Sequence, residues 1–138
     1  LRGSVPRFLK ERKQWKLTAS HKPEAVGSAV DGNLGTRFDT GTPMVPGMWF
    51  QIELPAAREV SGLRLDAKGS PQDYPDGYSI SLSQDGKAWS KPVATGRGTG
   101  PVMEIFFQGA PAKFIKITQT GRRTGKYWSI HELQIYAK

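Results

Sequence analysis

Glycine and proline divide this chain into short apolar segments, and their spacing limits the folds open to it. Sixteen glycines and ten prolines are spread over 138 residues. No stretch of ten or more residues keeps a 3.6-residue apolar period, except the charged segment 8–15. Because turn residues at such intervals break helices and connect short strands, the chain is predicted to be all-β. Binding residues are then expected in the loops at the two ends of a sandwich.

Strand character is clearest in segment 48–54, where apolar residues alternate with Gln51 and Glu53 as in a half-buried strand. Asp85-Gly86 predicts a hairpin turn over 84–87, because this pair adopts the positive φ angles that tight hairpins need. In segment 113–118 the pattern leaves open which face meets the core. Further strands are predicted at 60–65, 77–83, 102–107, 113–119 and 129–136, with a weaker one at 88–94. Six to eight short strands of this kind indicate a sandwich or jelly roll.

The net charge of +8 is concentrated near the N-terminus. Residues 1–16 hold six basic side chains and one acid, whereas the remaining chain holds 14 basic and 11 acidic ones. Residues 1–14 are therefore predicted to be a basic tail or linker, in part of cloning origin, and 15–138 the folded domain. A nucleic-acid function is not favoured, because the domain itself lacks interleaved basic and aromatic residues.

Two compositional absences restrict the chemistry. The chain has no cysteine, which excludes disulfides and thiolate metal sites. It also has no apolar run near the roughly 20 residues that a membrane-spanning helix needs. The chain is expected to fold as one domain with a single core.

Segment 28–36 is rich in oxygen-bearing side chains and glycine. It contains Asp31, Asn33 and Thr36 together with two glycines that allow a tight loop. A hard cation such as calcium takes six to eight oxygen ligands, more than this loop can provide alone. Glu132, far away in the sequence, is the predicted distal ligand.

Four motifs in order resemble the discoidin domain, also called the factor V/VIII type C domain, whose bacterial members overlap with family 32 carbohydrate-binding modules. They lie at 29–38, 49–54, 83–89 and 128–133. The resemblance extends from about Trp15 to Tyr136. It implies an eight-stranded antiparallel β-sandwich, a jelly roll of the galactose-binding-like type.

The resemblance also implies a structural calcium where the Asp-Gly-Asn loop meets the last strand. Its ligands would be the Ser28 carbonyl, the Asp31 carboxylate, the Asn33 carbonyl, the Thr36 oxygens, the His131 carbonyl and the Glu132 carboxylate. Two carboxylates would neutralise the ion, and neutral oxygens would fill the other positions. The alternative is that Asp31-Gly32 is only a turn closed by an Asx hydrogen bond.

The sugar site of carbohydrate-binding relatives lies on loops beside that metal. The matching positions here are Asp39, Lys68 and Tyr127, with an Asp and a Lys where galactose-binding relatives carry His and Arg. These departures leave the sugar open within the carbohydrate class. Neighbouring loops add further candidates, namely Asp73, Tyr74 and Arg122. Basic residues before Tyr127 suit a sulfated or uronic sugar.

The predicted function is that of a non-catalytic carbohydrate-binding module with a structural calcium. It would be a monomeric unit of a larger bacterial protein, extracellular or periplasmic, whose fused catalytic domain acts on a polysaccharide. The alternative is a discoidin domain that binds phospholipid membrane surfaces through Met44 and Val45. Catalysis is disfavoured, since His21 and His131 are the only imidazoles, although sequence leaves a pair of glycosidase carboxylates open.

Overall fold

Two long strands determine the architecture of the domain, for which the computed structural model describes residues 7–138. All strands pair antiparallel. The strands are β1 (Arg7–Phe8), β2 (Lys16–Ala19), β3 (Phe38–Asp39), β4 (Met48–Asp66), β5 (Gly77–Ser83), β6 (Ala94–Arg97), β7 (Val102–Gln119), β8 (Ser129–Ile130) and β9 (Glu132–Ala137). Short 3₁₀ helices occupy Arg12–Gln14 and Pro23–Ala29. Within residues 7–138, no helix has the length and apolarity to cross a membrane.

Strands β4 and β7 pair along most of their length and bend together. Residues 48–53 of β4 pair with 114–119 of β7, and residues 58–66 pair with 102–112. The register shifts between these halves, and such irregularities bend a strand and increase its twist. The first halves form one layer with β2, β5 and β6, and the second halves form another with β1 and β9. The result is an all-β jelly-roll sandwich, as predicted, with the small β3–β8 sheet at one end.

Several strand predictions are confirmed and one is wrong. Segment 77–83 forms β5. The strands predicted at 48–54 and 60–65 are both parts of β4, and those predicted at 102–107 and 113–119 are both parts of β7. Each pair forms one long strand because pairing resumes beyond the irregularity. The weaker strand at 88–94 is wrong, since β5 pairs with Ala94–Arg97 instead. A turn forms at 84–87, where Gly86 has φ +77° and the Asp85 carboxylate accepts the amides of Lys87 and Ala88. It does not close a tight hairpin as predicted, because β5 ends at Ser83 and β6 begins only at Ala94.

The core lies between the two layers and settles the undecided face of β7. Ile115 and Ile117 are fully buried, together with Phe50 and Ile52 from β4. Full burial of an aliphatic side chain contributes about 1.5–3 kcal/mol, which is enough for the isoleucines to fix the orientation of the strand. Trp128 is also fully buried, at the loop end of the core.

The N-terminal segment differs from the predicted tail. Strand β1 pairs with β9, aligning Phe8 with Tyr136, and the Leu9 amide donates to the Ile135 carbonyl at 2.8 Å. Leu9 is buried in the core cluster. Residues 7–14 are thus packed on the domain, because two apolar residues among the charges cover the edge of a sheet. Residues 1–6 of the predicted tail lie outside the described residues.

Candidate functional site

The Asp-Gly-Asn loop folds around its own oxygen atoms. The Asp31 carboxylate accepts the Asn33 amide at 3.0 Å and the Thr36 hydroxyl. That hydroxyl also lies 3.0 Å from the Asn33 carbonyl oxygen, and Gly32 supplies the turn with φ +76°. Hydrogen bonding from Thr36 lowers the pKa of Asp31, against an opposing effect of burial. The Asx hydrogen bond expected of a simple Asp31-Gly32 turn is therefore present. Oxygen atoms of Asp31, Asn33 and Thr36 lie close together beside it.

Residues 131 and 132 reach this loop from the far end of the chain. One oxygen of the Glu132 carboxylate accepts the Gly32 amide at 2.9 Å, and the other lies 2.6 Å from a guanidinium nitrogen of Arg12. The His131 ring is buried and lies 2.7 Å from the Leu34 carbonyl through Nδ1. Since a carbonyl accepts only, Nδ1 carries the proton. The two ends of the sequence thus meet here, as predicted.

The residues at this junction fit a hard cation. Asp31 and Glu132 bring two carboxylates to the junction, one from the loop and one from the last strand. The Thr36 hydroxyl and the Asn33 carbonyl provide neutral oxygens, and oxygen-only ligand sets are what calcium prefers. Ser28 lies near the end of the 3₁₀ helix that precedes the loop. Among residues 7–138, no three His, Cys, Asp or Glu side chains cluster as a metal site, so backbone and hydroxyl oxygens would be needed.

Asp39 and Asp73 are brought together by Arg37. The guanidinium lies 3.2 Å from a carboxylate oxygen of each, through Nε to Asp39 and Nη1 to Asp73. The Asp39 carboxylate also accepts a hydrogen bond from the Lys22 ammonium at 3.2 Å, and the Asp73 carboxylate accepts one from the Ser129 hydroxyl at 2.7 Å. Both carboxylates are consequently fixed and neutralised, and any sugar hydroxyl must share oxygens already in use.

A second contact orders the neighbouring loop. Tyr74 is half-buried against the core, and the guanidinium carbon of Arg123 lies 4.8 Å from the centre of its ring. Cation–π contacts of this kind contribute about 0.5–1 kcal/mol at exposed sites. The ring of Tyr74 is thus covered by Arg123, so its predicted role as a free sugar contact has a competitor in the chain itself.

The remaining ligand candidates stand in solvent. Lys68 and Arg122 are exposed, and Tyr127 is 37% exposed. Within residues 7–138, no hydrogen bond or ion pair joins the side chains of these three residues to another residue. The strand β8 that follows Tyr127 is anchored to the Asp73 loop, because the Ser129 amide donates to the Asp73 carbonyl at 2.9 Å.

The apolar loop on which the membrane alternative depends is turned inward. Met44 is 1% exposed, and Val45 is half-buried against the core. The Met44 amide donates a hydrogen bond to the Lys126 carbonyl at 2.8 Å, which connects this loop to the basic segment 122–126 before Tyr127. An apolar residue that inserts into a bilayer must be exposed first, so the expectation for Met44 is wrong; its burial covers the end of the core.

Sequence reasoning did not identify the residues that connect the candidates. Arg37 joins the two aspartates, and Ser70 accepts from Arg37 at 2.7 Å while lying 2.9 Å from Nε2 of His131. Arg12 pairs with Glu132 from the segment assigned to the tail. Arg37 lies inside the motif at 29–38, so the sequence did offer a signal for this residue. The roles of Ser70 and Arg12 depend on contacts across 61 and 120 residues, respectively, and no local pattern shows them.

Comparison with curated proteins gives relatives that are much longer than this chain. It is 26% identical to a galactose oxidase of Gibberella zeae over 99% of its own length and 22% of that enzyme. It is 28% identical to a sialidase of Micromonospora viridifaciens over 80% of its length and 18% of that protein. The chain thus spans about a fifth of the curated relatives that it matches.

Solved structures agree on the fold. A family 32 carbohydrate-binding module of Clostridium perfringens NanJ in complex with galactose superposes with a TM-score of 0.80 at 23% identity, covering 96% of this chain and 99% of that one. A chitosan-binding module in complex with chitotriose, from a Paenibacillus chitosanase/glucanase, gives 0.75 at 26% identity, covering 90% and 97%. The family model described as F5/8 type C domain matches residues 14–133. The chain therefore belongs to the F5/8 type C domain family.

Proposed function

We propose that this domain is a non-catalytic carbohydrate-binding module and that its site is the loop surface around Tyr127. The observation that carries the proposal is the exposure of this ring, 37%, at the end of the sandwich that also holds the oxygen-rich loop. The face of an exposed aromatic ring matches the apolar C–H face of a pyranose, and its hydroxyl remains free to meet water.

The surface around the ring is already ordered. Asp39 and Asp73 are held by Arg37, and the Arg123 loop is held against Tyr74 and the Met44 loop. A surface ordered before binding loses less conformational entropy when it takes a ligand. This favours a recognition site built for binding rather than for conformational change.

Exposed cations indicate which sugars the surface favours. Lys68 and Arg122 are exposed, whereas Asp39 and Asp73 are paired with Arg37 and Lys22. These two exposed cations can therefore meet an anionic ligand. Uronic or sulfated sugars pair with such cations through charge-assisted hydrogen bonds, so an acidic sugar is the favoured ligand of this surface.

The relatives support an accessory role. At 26% identity, one solved relative is a chitosan-binding module with bound chitotriose. At 25% identity, another combines a family 32 module with an alginate lyase domain, of which this chain covers 33%. We accordingly propose a monomeric module of a larger carbohydrate-active protein, extracellular or periplasmic. Its effect would be to raise the local concentration of the fused enzyme at its substrate.

Calcium belongs to the proposal as a structural ion. Ser28, Asp31, Asn33, Thr36, His131 and Glu132 would hold it. When bound, it would join the Asp-Gly-Asn loop to the last strand by attraction to both carboxylates. A ligand that binds only the folded state stabilises that state by mass action.

Titration against a glycan array, followed by calorimetry on the best sugars, tests the loop site. Tyr127→Ala should weaken binding by about two- to tenfold, whereas Tyr127→Phe should retain it, because stacking needs the ring and not the hydroxyl. Thermal melts of both variants serve as the folding control. Equal affinity of Tyr127→Ala and the wild type would place the site elsewhere.

A further inference from the structure

Three aromatic rings form a row on the outer face of the second layer, away from the loop site. Phe8 on β1 lies 4.5 Å from Tyr136 on β9, and Tyr136 lies 4.8 Å from Phe106 on β7, measured between ring centres. The register aligns Phe8 with Tyr136, Tyr136 with Gly62, and Gly62 with Phe106. We call Phe8, Tyr136 and Phe106 the aromatic row; it crosses four neighbouring strands.

Gly62 makes the row continuous. A Cβ atom at this position would lie 2.9 Å from the Phe106 ring and 2.7 Å from the Ile105 carbonyl oxygen. The Phe106 ring therefore lies down over Gly62 toward Tyr136 instead of projecting from the sheet. Even so, Phe106 is 55% exposed and Phe8 is 40% exposed. The sheet thus presents a flat apolar strip to solvent.

One side of the strip is polar, and its one guanidinium is paired with carboxylates. The Tyr136 hydroxyl donates to Glu104, and the Arg64 guanidinium lies 3.9 Å from the same carboxylate. Burial raises the pKa of Tyr136 to about 12, with a further contribution from Glu104. The phenol consequently keeps its proton at neutral pH, and its ring carries no charge.

The other side of the strip is basic. A shallow depression of about 530 Å³ beside Phe8 is lined by four cations, Arg7, Lys10, Arg58 and Lys138, with Glu11 as the one acid. In the described part of the chain, none of the four cations lies within 4 Å of a carboxylate oxygen. Their charges are available to an external anion.

Flat rings beside unpaired cations select a ligand with apolar faces and negative groups on one chain. We propose that the aromatic row and this depression form a second binding surface for an acidic polysaccharide, carboxylated or sulfated. Pyranose C–H faces stack on the rings, while carboxylate or sulfate groups pair with the cations. Charge complementarity disfavours a neutral glycan. A bilayer is disfavoured because the rings lie along the sheet and have no projecting apolar tip. The surface lies on a sheet face, so it does not depend on the proposed loop site.

Affinity electrophoresis in gels containing polygalacturonate tests the proposal, with poly-L-glutamate as a polyanion that lacks sugar rings. Phe106→Ser should weaken polygalacturonate binding by about two- to tenfold and leave polyglutamate retardation unchanged. The double variant Arg58→Gln/Lys138→Gln should weaken both and reduce the salt dependence. Lys91→Gln/Arg97→Gln, which removes two exposed cations elsewhere, is the matched control and should retain binding.

Each measurement is repeated in a Tyr127→Ala background, which separates the two surfaces. The same loss on Phe106→Ser in both backgrounds supports an independent site, whereas a loss seen only in the wild-type background overturns it. Equal losses of polygalacturonate binding in Arg58→Gln/Lys138→Gln and in Lys91→Gln/Arg97→Gln would show that net charge alone attracts the polymer. That result would overturn the proposal. No retardation of the folded wild type, or tighter binding to anionic vesicles or oligothymidylate than to polygalacturonate, also overturns the proposal. Loss on Phe106→Ser with unchanged sugar binding by Tyr127→Ala would reject only the loop site.

Discussion

The guanidinium of Arg12 lies 2.6 Å from the carboxylate of Glu132, although 120 residues separate them in sequence. The second oxygen of that carboxylate accepts the Gly32 amide at 2.9 Å. One side chain therefore joins the N-terminal segment, the Asp-Gly-Asn loop and the last strand. Removing Arg12 takes away the cation that pairs with the largely buried Glu132 carboxylate, which is costly in a folded protein.

Arg12→Ala should destabilise the calcium-free domain by about 1.5–3 kcal/mol, the range for a hydrogen bond to a charged group. Calcium provides another cation for Glu132, so the loss should be smaller when calcium is present. Urea unfolding in chelator and in calcium measures both values, with Arg97→Ala as an exposed control. Equal losses in the two conditions would contradict a shared role of Glu132.

Calcium should raise the melting temperature of the wild type, and chelator should reverse the rise. Saturation at about 100 times the Kd stabilises a protein by about 2.7 kcal/mol. Asp31→Asn and Glu132→Gln should remove the response. Asp85→Asn is the matched control, because Asp85 also caps a tight turn through its carboxylate but lies in the β5–β6 connection. A calcium-insensitive wild type would refute the proposed site.

Arg37→Ala should weaken sugar binding, since it releases Asp39 and Asp73 from their shared contact. Arg37→Lys should recover part of the affinity, because an ammonium replaces the charge but not the planar fork. Calorimetry with the best glycan measures this, and a thermal melt separates misfolding from loss of the site. Full affinity in Arg37→Ala would show that the two aspartates do not need this arginine for binding.

Tyr136 should titrate well above an ordinary tyrosine, with a pKa of about 12 against the usual 10.0. Because the raised pKa favours the protonated form in the folded state, its contribution to stability is present below pH 10. That contribution is lost as the pH rises toward 12. The ultraviolet difference spectrum between wild type and Tyr136→Phe isolates the group. Ionisation near pH 10 in that spectrum would contradict burial beside Glu104.

Much of the fold was accessible from sequence because it depends on local patterns. Alternation in 48–54 predicted a half-buried strand, and Phe50 and Ile52 are fully buried there. The Asp31-Gly32-Asn33 turn follows from side chains that bond within a few residues of themselves. The oxygen-rich loop and Glu132 were predicted from the residues themselves, whereas the full metal ligand set and the positions Asp39, Lys68 and Tyr127 came from family resemblance. The roles of all these residues remain predictions.

The tertiary structure decided what depends on contacts between distant segments. Ile115 and Ile117 are buried in the core, which the sequence pattern left open. Phe8 pairs with β9, although the charge distribution predicted a tail over this segment. The tertiary structure also set the register that aligns Phe8 with Tyr136 across the sheet. Turn chemistry acts over a few residues and is legible in sequence. Strand register is set by the packing of both layers at once, so the aromatic row and the Arg12–Glu132 pair exist only in the folded chain.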